Sequence, residues 1–209
     1  MKKIFFLFFT VAGLTGLTAA QNSDDYKKAE FFVGYSNGQI EKSDKSRNGV
    51  NLSGVYNFTR YLGVKGDFSA TYATERFTLP GFAVSSSPPF TATFRTDRND
   101  RALYNVLGGI QIKDNAGSGR FKPFAHALFG VGINRSKNRD FQCTPTVNCP
   151  SFFAVGSATS KGFAAALGGG LDIRITKKIQ FRVIQVDYNP VRTFSQINNN
   201  VRIGAGIVF

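Results

Sequence analysis

Beyond residue 27, apolar side chains recur at every second position in one segment after another, and this alternation constrains the chain more than anything else in it. A period of two belongs to an extended strand whose two faces meet different surroundings. It is clearest over 162–175. There Phe163, Ala165, Leu167, Gly169, Leu171, Ile173 and Ile175 share one face, and Ala164, Ala166, Gly168, Gly170, Asp172 and Arg174 share the other. Segments 28–36, 49–58, 62–72, 102–113, 121–134 and 201–209 repeat the pattern, with Glu30, Asn51, Lys65, Asp67, Lys113, His126 and Arg202 on the small and polar side. Segment 179–188 starts in phase, with Ile179, Phe181 and Val183 opposite Gln180 and Arg182. Gln185 and Asp187 then fall on the apolar parity, and a bulge near Ile184 would restore the register.

Eight such segments make an even number, and their connections alternate in length. Those at 59–61, 114–120 and 176–178 are short; those at 38–48, 73–101, 135–160 and 189–200 are longer and polar or rich in Pro and Ser. Short turns at one end and long loops at the other are the asymmetry of an outer-membrane barrel, with periplasmic turns and extracellular loops. After residue 20 no apolar run approaches the ~20 residues of a spanning helix, whereas tilted strands of about ten residues do cross the hydrocarbon layer. In lipid such strands must close, because an open edge would leave backbone groups unpaired. The expected fold is all-β: an eight-stranded antiparallel up-and-down transmembrane barrel over residues 21–209.

A soluble lipocalin-like barrel has the same period with its faces exchanged. Three features favour the membrane polarity. Opposite charges sit two apart on the small face (Lys65 and Asp67, Asp172 and Arg174) among many glycines, which suits a crowded, ionically cross-linked interior. Aromatics gather near strand ends (Phe31, Tyr35, Tyr56, Phe58, Tyr61, Tyr72, Tyr104), as interfacial girdles require. The last strand ends on Phe209 with no helix after it, and no Trp stands near the first strand.

Together with the run Gly130-Val131-Gly132, the run Gly168-Gly169-Gly170, Phe124 and the ending Val201-Arg202-Ile203-Gly204-Ala205-Gly206-Ile207-Val208-Phe209, this pattern resembles the OmpA-like/OmpX-like outer-membrane β-barrel superfamily. The resemblance covers the whole mature chain and is architectural. It implies a bacterial outer-membrane location, a setting of outer-membrane lipid and lipopolysaccharide, and a terminal strand whose Phe209 is read by the barrel-assembly machinery. It further implies a barrel alone, without the periplasmic peptidoglycan-binding domain of full-length OmpA proteins.

The N-terminus is read as an address. Lys2 and Lys3 precede the apolar run opened by Ile4-Phe5-Phe6-Leu7-Phe8-Phe9, and Thr18-Ala19-Ala20 supplies small residues for cleavage, so residues 1–20 read as a signal peptide removed near Ala20. Loss of Lys2 and Lys3 takes the formal charge from +13 to +11. Such an excess would ordinarily raise nucleic acid as a partner; export argues against it, and no nucleic-acid partner is expected. Export also places Cys143 and Cys149 in an oxidising compartment, where a disulfide closing their small loop is the natural reading. A metal pair would need further ligands, and His126 is the one histidine. No metal or cofactor is expected.

An eight-stranded barrel has an interior just wide enough for its own side chains. Glu30, Lys65, Asp67, His126, Asp172, Arg174, Arg182 and Arg202 are expected to fill it as a lumen charge network, which argues against a general diffusion porin. A narrow ion or small-solute channel is the alternative reading of the same residues. Lipid A-modifying chemistry would need a nucleophile and a base near the outer leaflet; His126 lies on the lumen face, about five residues from the periplasmic end of its segment, and no enzymatic role is expected. The second loop (Leu79-Pro80-Gly81-Phe82, Ser85-Ser86-Ser87-Pro88-Pro89-Phe90) and the basic third loop (Arg135, Lys137, Arg139) suggest a platform for an extracellular ligand or receptor. The expectation is a monomeric barrel with a structural or surface-interaction role.

Overall fold

The computed structural model describes residues 26–40, 43–84, 90–116, 119–144, 156–193 and 196–209. The alternating segments form β1 (Ala29–Ile40), β2 (Ser43–Asn57), β3 (Leu62–Val84), β4 (Phe90–Lys113), β5 (Phe121–Thr144), β6 (Ser157–Arg174), β7 (Gln180–Tyr188) and, after two short strands, β10 (Asn200–Val208). All neighbours are antiparallel. The order β5-β4-β3-β2-β1-β10-β7-β6 is closed by pairing of β5 with β6, so these eight strands form a complete barrel. The seam between first and last strands is held by the terminal residue: Phe31 N–H donates to the Phe209 carbonyl (3.1 Å), and Phe209 N–H to the Phe31 carbonyl (2.8 Å).

The polarity is that of a membrane barrel. The apolar parity points outward, leaving Val33, Leu52, Val64, Val106, Ile110 and Phe129 among a continuous exposed apolar band. The polar parity is buried, and Lys65, Ser69 and Asp172 have no exposed surface at all. The aromatics Tyr35, Tyr56, Phe58, Tyr61 and Tyr72 stand on the outer surface near strand ends. Adjacent glycines of β4 illustrate the two faces. A methyl at Gly109 would run into the Ala127 carbonyl and the backbone of Leu128, whereas one at Gly108 would meet nothing nearer than 4.0 Å.

The two tightest turns use one device. Thr59 Oγ1 accepts from the N–H of Leu62 (3.0 Å), and Thr176 Oγ1 from that of Ile179 (2.9 Å), so each hydroxyl closes its own reversal. Arg60, in the first turn, forms a two-bond pair with Asp114 in the next, at 2.9 and 3.1 Å, tying neighbouring turns together.

Two expectations are refined. The bulge in β7 lies at Val183–Ile184: both residues point outward, Leu171 pairs with Ile184 while Asp172 pairs with Arg182, and Gln185 and Asp187 return to the lumen. Much of the sequence expected to loop is strand instead. β3 continues to Val84 and β4 begins at Phe90, with pairing from Ala73–Arg101 to Val84–Phe90 interrupted only by register shifts, so the hairpin replaces most of the loop expected over 73–101. Polar composition does not by itself end a strand, because its backbone bonds are satisfied by its partner. Likewise β5 runs to Thr144, and the connection 189–200 holds the short strands β8 (Val191–Thr193) and β9 (Gln196–Asn198), β8 pairing with β6.

Candidate functional site

Inward-facing residues of β1, β3, β4, β5, β6, β7 and β10 meet across the lumen in one ionic network. At the periplasmic side Lys113 Nζ donates to both Glu30 oxygens (3.0 Å each), to Asp172 Oδ2 (2.8 Å) and to Gln180 Oε1 (2.9 Å). Asp172 in turn accepts from Arg182 through Nε (2.8 Å) and Nη2 (3.1 Å), and Arg182 Nη1 donates to Gln185 Oε1 (2.8 Å). Gln185 Nε2 passes the chain to Asp187 (2.7 Å). Arg202 bridges two carboxylates, donating to Asp187 Oδ2 through Nε (2.9 Å) and Nη2 (2.6 Å) and to Asp67 Oδ1 through Nη1 (2.7 Å). Asn51 adds a bond to Asp67 (3.0 Å).

His126 completes the network. Its Nε2 lies 2.9 Å from Asp187 Oδ1, and its Nδ1 lies 3.3 Å from Lys65 Nζ. The imidazole thus lies between a carboxylate and an amine. Two phenyl rings enter the same space. The Arg182 guanidinium lies between Phe32 (4.4 Å) and Phe124 (4.0 Å), and Lys65 Nζ is 5.6 Å from the Phe124 ring. These cation–π contacts are strongest where water is excluded, as it is here.

Lys113, Arg182 and Arg202 thus pair with Glu30, Asp67, Asp172 and Asp187, so each of these four carboxylates has a cation on it. Pairing matters because a buried charge without its partner is far more costly than a buried pair. Toward the extracellular side the lumen is filled by amides and apolar side chains. Asn105 donates to Ser69 (3.2 Å) and Asn189 (3.1 Å), and Asn189 donates to the Ala165 carbonyl (2.6 Å). Leu103, Leu107 and Leu128 pack with Ala164, Ala166 and Val191 of β8. A void of about 10 Å³ at the amide layer is bordered by Arg47, Asn105 and Arg202, the space of a single water.

Of the residues singled out from sequence, Glu30, Lys65, Asp67, His126, Asp172, Arg182 and Arg202 come together in this network. Arg174, the last residue of β6, is half-buried at the periplasmic rim, its N–H donating to the Arg120 carbonyl (2.8 Å). Sequence reasoning passed over Lys113, Gln180, Gln185 and Asp187. Lys113 stood on the correct parity, a signal sufficient to include it, whereas the β7 bulge hid Gln185 and Asp187. The leucine cluster was also missed, since a polar interior was expected throughout. Cys143 lies near the end of β5, while Cys149 and residues 1–20 lie outside the described residues.

The family model for the outer membrane protein beta-barrel domain matches residues 7–209. Among solved structures, Ail, the attachment invasion locus protein of Yersinia pestis, in complex with the heparin analogue sucrose octasulfate, is 19% identical with a TM-score of 0.55, covering 87% of this chain and 97% of that one. Neisserial surface protein A is 12% identical with a TM-score of 0.50, over 86% of this chain and 94% of that one. At these identities the likeness is one of fold. No curated protein matches the chain in sequence.

Proposed function

The chain belongs to the outer membrane protein beta-barrel family and resides in the bacterial outer membrane, and from that premise we propose that it serves there as a sealed, non-catalytic scaffold for surface interaction through its extracellular side. The observation that carries this reading is the lumen. Its ionic layer spans the barrel, and a void above it bordered by Arg47 and Arg202 holds about one water. Conduction would require breaking several buried, charge-assisted bonds at once, so the sealed reading is favoured over a narrow channel. His126, set between Asp187 and Lys65 inside the barrel, supports a structural role for that residue rather than acid–base chemistry at the outer leaflet. The extracellular partner we favour is polyanionic, because exposed Arg135, Lys161 and Arg192 cluster on that side and the neighbour Ail was solved with a heparin analogue.

One preparation tests both halves. Refolded protein is expected to give no discrete conductance steps in planar bilayers and to be retained on immobilised heparin at low salt. Reproducible steps would overturn the sealed lumen, and passage through the heparin matrix at low salt would overturn the polyanionic partner.

The reading further includes a signal peptide over 1–20 cleaved near Ala20, a Cys143–Cys149 disulfide, delivery by the barrel-assembly machinery through Phe209, and a monomeric barrel. The intact mass of membrane-extracted protein is expected to correspond to a chain starting at Gln21 and lighter by two hydrogens than its reduced form. A start at residue 1, or a mass unchanged by reduction, would overturn the corresponding assignment.

A further inference from the structure

Gly38 of β1 stands in a lumen-facing row between two guanidiniums. Arg47 of β2 pairs with it on one side, and Arg202 of β10 on the other. A Cβ built on Gly38 would meet nothing within 4 Å. That missing side chain opens the void of about 10 Å³ at the amide layer, lined by Gly38, Arg47, Ser69, Asn105 and Arg202. Its size suits one water or one monoatomic anion alike, so the lining has to choose between them.

Arg47 is 7% exposed, and its Nε is buried without an acceptor from the protein. Glu75, the carboxylate whose charge reaches Arg47, pairs with Arg101 at 3.6 Å, and the charge of Arg101 acts on Arg47 as well. Arg202 differs, since Asp67 and Asp187 both hold it. Arg47 is thus a buried cation whose charged neighbours cancel, and an uncompensated buried charge is costly.

The polar groups around the void are disposed as donors. Ser69 Oγ accepts from Asn105 Nδ2 (3.2 Å), which leaves the hydroxyl proton for another acceptor. Asn105 Oδ1, the acceptor that would favour a water or a cation, is turned to the far flank of β4. It lies 3.2 Å from where a Cβ on Gly132 of β5 would stand.

We propose that this chamber is a halide site, in which a chloride-sized anion sits over Gly38, accepts from Arg47 Nε and Ser69 Oγ, and supplies the negative charge that Arg47 lacks. Bound there, it ties β1, β2 and β3 together above the ionic network. A water could accept the same two protons but would leave the charge of Arg47 uncompensated. A polyatomic anion such as phosphate exceeds the space. The chamber shares no residue with the extracellular cations assigned to the polyanionic partner, so the two readings stand or fall separately.

The test titrates the full mature barrel with urea in detergent micelles at constant ionic strength. The salts are sodium chloride, sodium bromide and sodium isethionate, whose organic anion is too large for the void. Chloride and bromide are expected to raise the folded-to-unfolded ratio saturably, by about tenfold at ten times the dissociation constant. Arg47→Met, which removes the charge, and Gly38→Ser, which fills the space and keeps the charge, are each expected to abolish the difference between anions. Lys177→Gln, at a periplasmic turn, is expected to keep it. Equal midpoints in the three salts would overturn the site, as would a halide effect that survives in either chamber variant or is lost equally in Lys177→Gln. An effect that rises to molar salt without saturating would mark an adventitious ion only, and would overturn it too. Crystals of the unmutated protein grown in sodium bromide decide the matter even where a variant folds poorly. An anomalous peak over Gly38, between Arg47 and Arg202, is expected, and its absence would overturn the site.

Discussion

Arg202→Met is expected to destabilise the folded barrel by about 3–5 kcal/mol, the cost of leaving buried carboxylates without their cation. Arg202 is 3% exposed and makes three bonds in the network, two to Asp187 and one to Asp67, among them the shortest at 2.6 Å. Methionine fills much of the volume but supplies no donor. Asp67 would keep Asn51, and Asp187 would keep Gln185 and its place beside His126. Urea titration in micelles, read by the gel mobility difference between folded and unfolded barrel, measures the loss. The triple variant Arg202→Met, Asp67→Asn, Asp187→Asn should recover most of it, since it removes the charges together. A single variant within about 1 kcal/mol of the parent would show that water reaches this layer and screens it.

Gly108→Arg is expected to cost about 2–4 kcal/mol, while Gly108→Leu is expected to be neutral or mildly stabilising. Gly108 lies midway between Tyr104 and Ile112 on the outer face of β4, paired with Gly66 on one side and Phe129 on the other. A side chain there meets no protein atom closer than 4.0 Å, so the substitution reports on the surrounding medium rather than on packing. In lipid the arginine is penalised and the leucine is at home. On a water-exposed surface the order would reverse, and that reversal, measured by the same titration in vesicles, would sink the assignment of this face to lipid.

The barrel itself was legible before any coordinates. Alternation is a property of neighbours along a strand. From Phe163 to Ile175, or Leu62 to Tyr72, it announces which side chains share a surface, whatever the strand later pairs with. The polarity could be read as well, because Lys65 and Asp67 on one side and Phe68 and Tyr72 on the other suit a packed polar interior and a lipid exterior. Strand ends were less legible. Residues 73–101 lack clean alternation, so nothing in their pattern separates a long ribbon from a loop.

The candidate site was legible only in part, and the misses have distinct causes. Lys113 stands on the lumen parity, yet its partners Glu30 and Asp172 are 83 and 59 residues away. Asp187 was concealed by one extra residue at Val183–Ile184, which turns the rest of β7 over. Arg174 shares the parity of Asp172 but stands at the last position of β6. Parity assigns a face; it assigns neither depth nor partner.

Local chemistry in the sequence was therefore enough to determine an all-β membrane barrel with a charged interior, because a period of two records how each strand divides its surroundings. Only the tertiary structure decided that Arg202 holds Asp67 across 135 residues of chain, that His126 lies between Asp187 and Lys65, and that Arg47 and Arg202 flank Gly38. Those meetings depend on how the strands are staggered when the sheet closes on itself. The stagger is set jointly by every pairing around the barrel, and no single segment carries it.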